Sequence, residues 1–203
     1  MKKCLMVIAT SLALSGVAMA APVTNIEKGE TNAGYIYWNP QVEYNKSLDL
    51  GSANANGFFV ETALSDKVIV GVETIKGKKS ATDGGITASM DARFTDVTLQ
   101  YKLSDQIRLI AGNRNYDSNS AVTYMDADNQ SMNKFITGLS ASTVLGEKMT
   151  GYASVLTNSI GTDWQVGVNR NLTDTVDFNV NYRYYDGDTA TLKGIGAGLV
   201  CKF

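Results

Sequence analysis

Strict alternation of apolar and polar side chains is the feature that most limits how this chain can fold. Over residues 175–185, apolar residues occupy every second position and Asp, Asn, Asn and Arg lie between them. A two-residue period puts each set on one face of a strand, whereas a helix would scatter both sets around its axis. Segments 93–103 and 164–169 repeat the pattern. We therefore predict β-strands that each have one apolar face.

A short turn sequence recurs between these segments. It reads Leu-Ser-Asp at 64–66 and 103–105, Leu-Gly-Glu at 145–147 and Leu-Thr-Asp at 172–174. Hydroxyl residues, glycine and acids favour tight turns, because they bond to the local backbone or relax it. Each copy separates two stretches of roughly ten residues, the length that a tilted strand needs to cross a bilayer. The repeats therefore predict four hairpins with short turns on one side.

The strand count follows from these hairpins. They supply eight strands, and segments 33–38 and 191–203 add one at each end, with the first strand ending near Asn39 and Pro40. Short turns that alternate with longer loops are typical of membrane barrels. The predicted fold is all-β, an antiparallel up-and-down transmembrane β-barrel of about ten strands, with eight strands as the alternative. A secreted soluble β-sandwich, which also shows alternation and turns, is the alternative fold.

The remaining connections are predicted to be external loops, and any binding role would reside in the long ones. Lys76, Lys78 and Lys79 either meet lipopolysaccharide phosphates or belong to a solvated loop. Residues 126–130 have the spacing of the start of a calcium loop, but they lack its glycine and distant glutamate, so we predict no metal site. The predicted loops are 39–56, 77–91, 117–131, 158–161 and 186–188.

The first twenty residues have the organisation of a secretory signal. Lys2 and Lys3 precede a mostly apolar stretch, and Ala18 and Ala20 supply the small residues expected before a cleavage site. We predict a signal peptide over residues 1–20 and one barrel domain over residues 21–203. The 18 Lys and Arg residues against 20 Asp and Glu residues argue against a nucleic-acid binder.

The last ten residues resemble the C-terminal assembly signal of bacterial outer-membrane proteins. In that signal an aromatic residue ends the chain, hydrophobic residues precede it at alternate positions, and a glycine lies five positions before the end. Phe203, Leu199 and Gly198 match these features, whereas Cys201 departs, since an aromatic residue is usual there. By pattern, the chain resembles the small outer-membrane barrels of the OmpA, OmpX and YfaZ kind. The resemblance implies a monomer in the bacterial outer membrane, contact with its lipid and lipopolysaccharide, and insertion by the outer-membrane assembly machinery.

The chain contains no histidine. Outer-membrane barrel enzymes that resemble this size class, such as omptin proteases and lipid A deacylases, rely on a histidine as acid or base. Without histidine, Ser-His and His-Asp pairs cannot form. No nucleotide-binding loop or zinc ligand set is present either. We predict a non-enzymatic protein with no cofactor.

Alternation also gives each charged side chain a direction. If the apolar residues face lipid, four acids and four bases point into the lumen. A barrel of eight strands is filled by its own side chains, and ten strands lie close to that limit. Because buried ions need partners, these charges would pair and seal a structural scaffold, which acts, if at all, through its surface loops. The predicted lumen residues are Glu61, Glu73, Asp96, Lys102, Arg108, Arg114, Asp177 and Arg183.

Inward-facing glycines leave a second function open. They could leave a narrow water-filled path along the charged residues. Since the charges balance in sign, such a path would make a weakly selective porin for small solutes. The glycines in question are Gly71, Gly112, Gly167, Gly194, Gly196 and Gly198.

Overall fold

The computed structural model describes residues 22–44, 48–83, 86–122, 128–188 and 190–203; the predicted signal peptide lies outside these ranges. Within them, no helix is long and apolar enough to span a membrane. Ten long strands form a closed barrel, and the short strand β2 extends one end of it. The strands are β1 (Thr31–Tyr44), β2 (Leu48–Ser52), β3 (Asn54–Ala63), β4 (Val68–Asp83), β5 (Ile86–Lys102), β6 (Ile107–Val122), β7 (Asp128–Gly146), β8 (Met149–Asn158), β9 (Gly161–Asn171), β10 (Val176–Gly187) and β11 (Ala190–Lys202).

Pairing of the first and last strands closes the sheet. β1 and β11 pair without a break from Asn32 opposite Lys202 to Tyr44 opposite Ala190. Every other barrel strand pairs with its neighbours in chain order, apart from the short β2 between β1 and β3. The up-and-down barrel of ten strands is therefore confirmed. The alternative count of eight strands is wrong, because ten strands form the barrel. The alternative sandwich is also wrong, because it would consist of two separate sheets with free edges.

Three of the four predicted turns share one hydrogen-bonding arrangement. The Ser65 hydroxyl accepts bonds from the backbone N–H groups of Lys67 and Val68, at 3.3 and 3.1 Å. The Ser104 hydroxyl accepts the corresponding two bonds in its turn, and the Thr173 hydroxyl accepts one. These N–H groups face the interior of a turn, where no strand can bond them. The hydroxyl side chain therefore explains why the turn sequence recurs.

The Leu-Gly-Glu copy folds differently because glycine has no hydroxyl. β7 runs on to Gly146, which pairs with Met149 at the start of β8. The register shifts between Val144 and Gly146. A tighter hairpin with a local irregularity thus replaces the hydroxyl-closed turn at this position.

The prediction of three long external loops is wrong, because most of the residues assigned to them belong to strands. β4 continues to Asp83 and β5 starts at Ile86, while β6 continues to Val122 and β7 starts at Asp128. Ladder bonds come from the backbone, so polar side chains do not end a strand that already has a paired neighbour. Residues 45–47, 84–85 and 123–127, which include the beginning of the calcium-like segment, lie outside the described residues.

The first strand does not end at Pro40. β1 continues past it to Tyr44, with Pro40 opposite Gly194. The Pro40 carbonyl accepts a bond from the Ala53 N–H, at the point where the neighbouring ladder passes from β3 to β2. The N–H group that proline lacks is therefore not needed by a continuous ladder. Positions of this kind are where a strand tolerates proline.

We expect Ser104→Ala to lower the free energy of unfolding by about 1 kcal/mol, because two turn N–H groups lose their acceptor and turn to water. Guanidinium unfolding in detergent micelles measures the change. Ser131→Ala, an exposed serine in β7, is the matched control and should match the wild type. Equal loss in both variants would contradict the role given to the turn hydroxyl.

Candidate functional site in the barrel lumen

The outer face of the barrel is apolar. Tyr35 packs edge-on against Phe58, and Trp164 stacks on Tyr184. This face carries the residues that alternation directed toward lipid, and soluble proteins rarely expose so much continuous apolar surface. Its exposed members include Tyr35, Phe58, Val60, Val97, Leu99, Tyr101, Leu109, Phe135, Leu139, Trp164, Val166, Phe178, Val180, Ile195 and Leu199.

Apolar side chains fill much of the lumen toward the end away from the short turns, and Phe59, which lies opposite Glu73, extends them to the middle. They form one buried cluster, which we call the apolar layer. Phe94 and Tyr116 pack with ring centroids 5.2 Å apart, and the Trp38 indole N–H donates to the Gly194 carbonyl at 3.1 Å. The largest members of the layer are Trp38, Phe59, Ile75, Phe94, Tyr116, Tyr185 and Leu192.

Arg114 forms the tightest ion pair in the middle of the lumen. Its Nε and one terminal nitrogen donate to the two carboxylate oxygens of Asp96, at 2.7 and 2.5 Å. Its other terminal nitrogen donates to Asp163 at 3.4 Å. All three residues are between 3% and 5% exposed. This forked geometry is the strongest arrangement that an arginine makes with a carboxylate.

Asp163 was missed as a lumen residue by the sequence analysis. The signal was available, because Asp163 precedes the outward-facing Trp164 and alternation therefore directs it inward. It lies on β9, whereas Arg114 lies on β6, so the contact crosses the lumen rather than joining neighbouring strands.

Gln100 bridges a second pair of charges. Its side-chain nitrogen donates to Glu61 at 2.9 Å, and its oxygen accepts a bond from Arg108 at 3.1 Å. Arg108 and Glu61 themselves approach to 3.8 Å. The three residues come from β5, β3 and β6, so the polar bridge ties three strands together inside the barrel.

Arg183 and Glu73 form a looser pair. Their closest nitrogen and oxygen are 3.7 Å apart, and these two atoms make no hydrogen bond although both residues are buried. The Arg183 Nε donates to Asn181 at 3.1 Å. From there a chain of amides continues, with Asn181 donating to Asn179 and Asn179 donating to Asn169, each at 2.6 Å.

The other two predicted lumen residues lie near the short turns. Lys102 is half-buried and donates to the Ile26 carbonyl. Asp177 is buried and pairs with Lys202 at 2.9 Å. The structure thus places Lys102 half-buried and buries seven predicted residues: Glu61, Glu73, Asp96, Arg108, Arg114, Asp177 and Arg183.

The residues before β1 enter the lumen at the end that carries the short turns. Pro22, Val23, Thr24 and Ile26 are buried, whereas Asn25 is exposed. We call residues 22–26 the plug segment. It was missed by the sequence analysis, since this segment has neither alternation nor a turn signal.

The space beside two inward glycines is occupied. A Cβ atom on Gly167 would lie 2.6 Å from the Tyr152 ring, and one on Gly196 would lie 2.7 Å from the Asn181 side chain. The Tyr152 hydroxyl accepts a bond from Asn179 at 3.0 Å, which holds the ring in place. At these positions glycine makes room for a neighbouring side chain rather than for water.

A small cavity remains between the plug segment and the charged side chains. Its volume is about 30 Å³, and Val23, Glu61, Glu73 and Asp96 are among the residues that line it. A cavity of this volume holds about one or two waters. Within the described ranges, no group of Asp, Glu, His or Cys is arranged to hold a metal ion.

The comparisons with known proteins identify a fold and no closer relative. No protein-family model and no curated protein matches the chain. It is similar in structure to the translocator domain of the autotransporter NalP from Neisseria meningitidis, with a TM-score of 0.55 and 8% identity over 85% of this chain and 88% of that one. It is also similar to Ail, the attachment invasion locus protein of Yersinia pestis, with a TM-score of 0.52 and 9% identity over 87% and 99%. The chain has the fold of a small outer-membrane β-barrel.

The barrel fold and the apolar outer face both indicate a protein that is surrounded by lipid. A closed sheet satisfies its own backbone groups, and the exposed apolar residues match a hydrocarbon surrounding. The protein is an integral barrel of the bacterial outer membrane. The side with short turns then faces the periplasm, and the long β4–β5 and β6–β7 hairpins face outward.

We expect Arg114→Met to lower the free energy of unfolding by about 3 to 5 kcal/mol, because Asp96 and Asp163 stay buried without their cation. Guanidinium unfolding and heat-modifiable gel migration measure the loss. Arg93→Met changes an exposed arginine of β5 and should lie close to the wild type. A small loss in Arg114→Met, similar to that of the control, would contradict this account.

Proposed function

We propose that the protein is a non-enzymatic structural barrel whose lumen is closed to solutes by its own side chains. The observation that carries this proposal is the Arg114 contact, which joins Asp96 on one side of the lumen to Asp163 on the other at 2.5 and 3.4 Å. A solute path would have to break this link, and breaking it leaves charges buried without partners.

The apolar layer supports the same function independently. Buried rings such as Trp38, Phe94 and Tyr116 line the outer part of the lumen, where hydrated ions would lose their water without gaining polar contacts. Apolar constrictions exclude ions by drying. A solute that moves along the barrel axis would thus meet two barriers, the aromatic rings near the cell surface and the ion pairs in the middle.

The alternative, a narrow porin, finds less support. It needs a continuous polar path, whereas Tyr152 and Asn181 fill the space beside Gly167 and Gly196. The cavity beside the charged residues has room for about one or two waters. No catalytic histidine is available in the sequence, which supports a role without enzymatic activity.

We expect no reproducible conductance steps when refolded protein is inserted in a planar bilayer. Insertion is checked on the same sample by heat-modifiable gel migration. The variant Arg114→Ala/Asp163→Ala removes the cross-lumen link and should give brief, small openings at most, because the apolar layer remains. Regular steps in the wild type would overturn the closed lumen in favour of the porin.

Lipopolysaccharide is the partner that we propose for the outer hairpins. Lys76 and Arg93 are exposed and directly opposite each other on β4 and β5, so two cations share one outward position. Lys78, one row further out, is paired with Asp91 at 2.8 Å. Phosphate groups favour such paired cations. Lys76 and Arg93 therefore offer lipopolysaccharide phosphates a better contact than Lys78 does.

We expect Lys76→Gln/Arg93→Gln to bind lipopolysaccharide about tenfold more weakly than the wild type in detergent, as two phosphate contacts are lost. Titration of fluorescent lipopolysaccharide measures the affinity. Lys67→Gln, an exposed lysine of a periplasmic turn, is the control. Unchanged affinity in the double variant would exclude this site.

Assembly is proposed to proceed through β11 and its end. Leu199 and Phe203 are exposed, and Gly198 faces inward on the strand that must meet β1 to close the barrel. A closed sheet offers no edge for pairing with a second copy, which supports a monomer.

A further inference from the structure

We propose that the periplasmic end of the lumen is a peptide-binding site, occupied by the chain's own plug segment, and that this segment controls access of water to the charged residues. The proposal rests on the closed lumen proposed above. It adds a device that closes one end independently of the apolar layer.

The barrel wall binds the backbone of the plug segment. Asn169 donates to the Val23 carbonyl at 2.8 Å. Arg108 donates to the Thr24 carbonyl, and Lys102 donates to the Ile26 carbonyl. These three donors come from β9, β6 and β5. Recognition of successive carbonyls by fixed donors is how proteins hold an extended peptide.

Two side chains of the plug segment fit the wall as well. The Thr24 hydroxyl donates to Glu61 at 3.0 Å and accepts a bond from Asn32 at 2.8 Å. Ile26 is 0% exposed and packs with Ala63 and Ile69. Both the hydroxyl and the apolar side chain therefore have a matched place in the wall.

The plug segment is separable from the sheet. Among the described residues, 22–26 make no backbone-to-backbone hydrogen bond with a strand, so the ten-strand ladder does not depend on them. Release of the segment would leave the barrel wall with all of its own pairing. The segment thus behaves as a bound ligand on a complete receptor.

Polar groups lie directly behind the segment. Val23 borders the small cavity, which is also lined by Ser140 and Ser154, and both serine hydroxyls are buried without a hydrogen bond. Water entering from the periplasmic end would reach these hydroxyls once Val23 leaves. The apolar layer still blocks the other end, so release gives access without conduction.

The experiment compares two carboxylates placed on the plug segment. Val23→Asp adds a fourth acid to a cavity lined by Glu61, Glu73 and Asp96 and by one cation, Arg108, which already contacts Glu61, whereas Asn25→Asp adds the same charge on the exposed side. Ser154→Cys in a Cys201→Ser background reports access of water through its rate of labelling by a charged methanethiosulfonate. Heat-modifiable migration establishes that each variant is folded.

We expect labelling of the reporter to be slow in the parent and in Asn25→Asp, and about a hundredfold faster in Val23→Asp, because a buried carboxylate beside three other acids and one shared cation favours the open state. A synthetic peptide with the sequence of residues 22–30 should restore protection to Val23→Asp, and a scrambled peptide should not. If Val23→Asp fails to fold, Thr24→Val, which removes the hydroxyl contacts, should raise the rate about tenfold.

Fast labelling of a parent that shows no conductance steps, or equal protection in folded Val23→Asp, would overturn the plug. Failure of the peptide to restore protection would overturn the peptide site. Conductance, recorded on the same variants, separates this proposal from the closed barrel. Steps in the parent contradict the closed lumen, on which this proposal rests, whereas a silent parent with an unchanged labelling ratio contradicts the plug alone.

Discussion

Hydrocarbon offers no hydrogen-bond partner to a peptide group, so a sheet in a bilayer is stable only when its two edges meet. In this chain that requirement is met by the unbroken ladder between β1 and β11, from Asn32 with Lys202 to Tyr44 with Ala190. Closure turns one face of every strand to lipid and the other face to a confined interior. The apolar exterior, the buried charges and the position of the plug segment all follow from that division.

Once closed, a ring of ten strands encloses a space that must be filled. Three groups of residues fill this space along the axis. They are the rings around Trp38 and Tyr116, the ion pairs around Arg114, and the plug segment beside Glu61. Each solves a different problem. Rings exclude water by packing, ion pairs satisfy one another where charge is already buried, and the plug segment supplies carbonyls to wall donors that would otherwise face the periplasm.

Much of this architecture was predictable because a two-residue period has one meaning in a strand. It assigned Val97 and Leu99 to the outside, and it directed Asp96 inward. The Leu-Ser-Asp repeat located the turns, because a hydroxyl has a defined backbone partner two residues later. Composition gave a wrong prediction where strands have no apolar face. Residues 77–83 have the composition of a loop, but they remain paired with β5, because pairing depends on the backbone. The partner of each charge, such as Asp163 for Arg114, depends on distances across the lumen that no local pattern contains.

The donors that hold the plug segment have a consequence for the order of folding. Lys102, Arg108 and Asn169 lie on strands that are far apart in the chain, with β9 well separated from β5 and β6. They converge on one short segment only after the sheet has curved around it. Under the proposal made above, the site for the N-terminal residues is complete only once those strands have come together in the closed sheet. Binding of the segment would then displace the water that occupies this end of the open lumen.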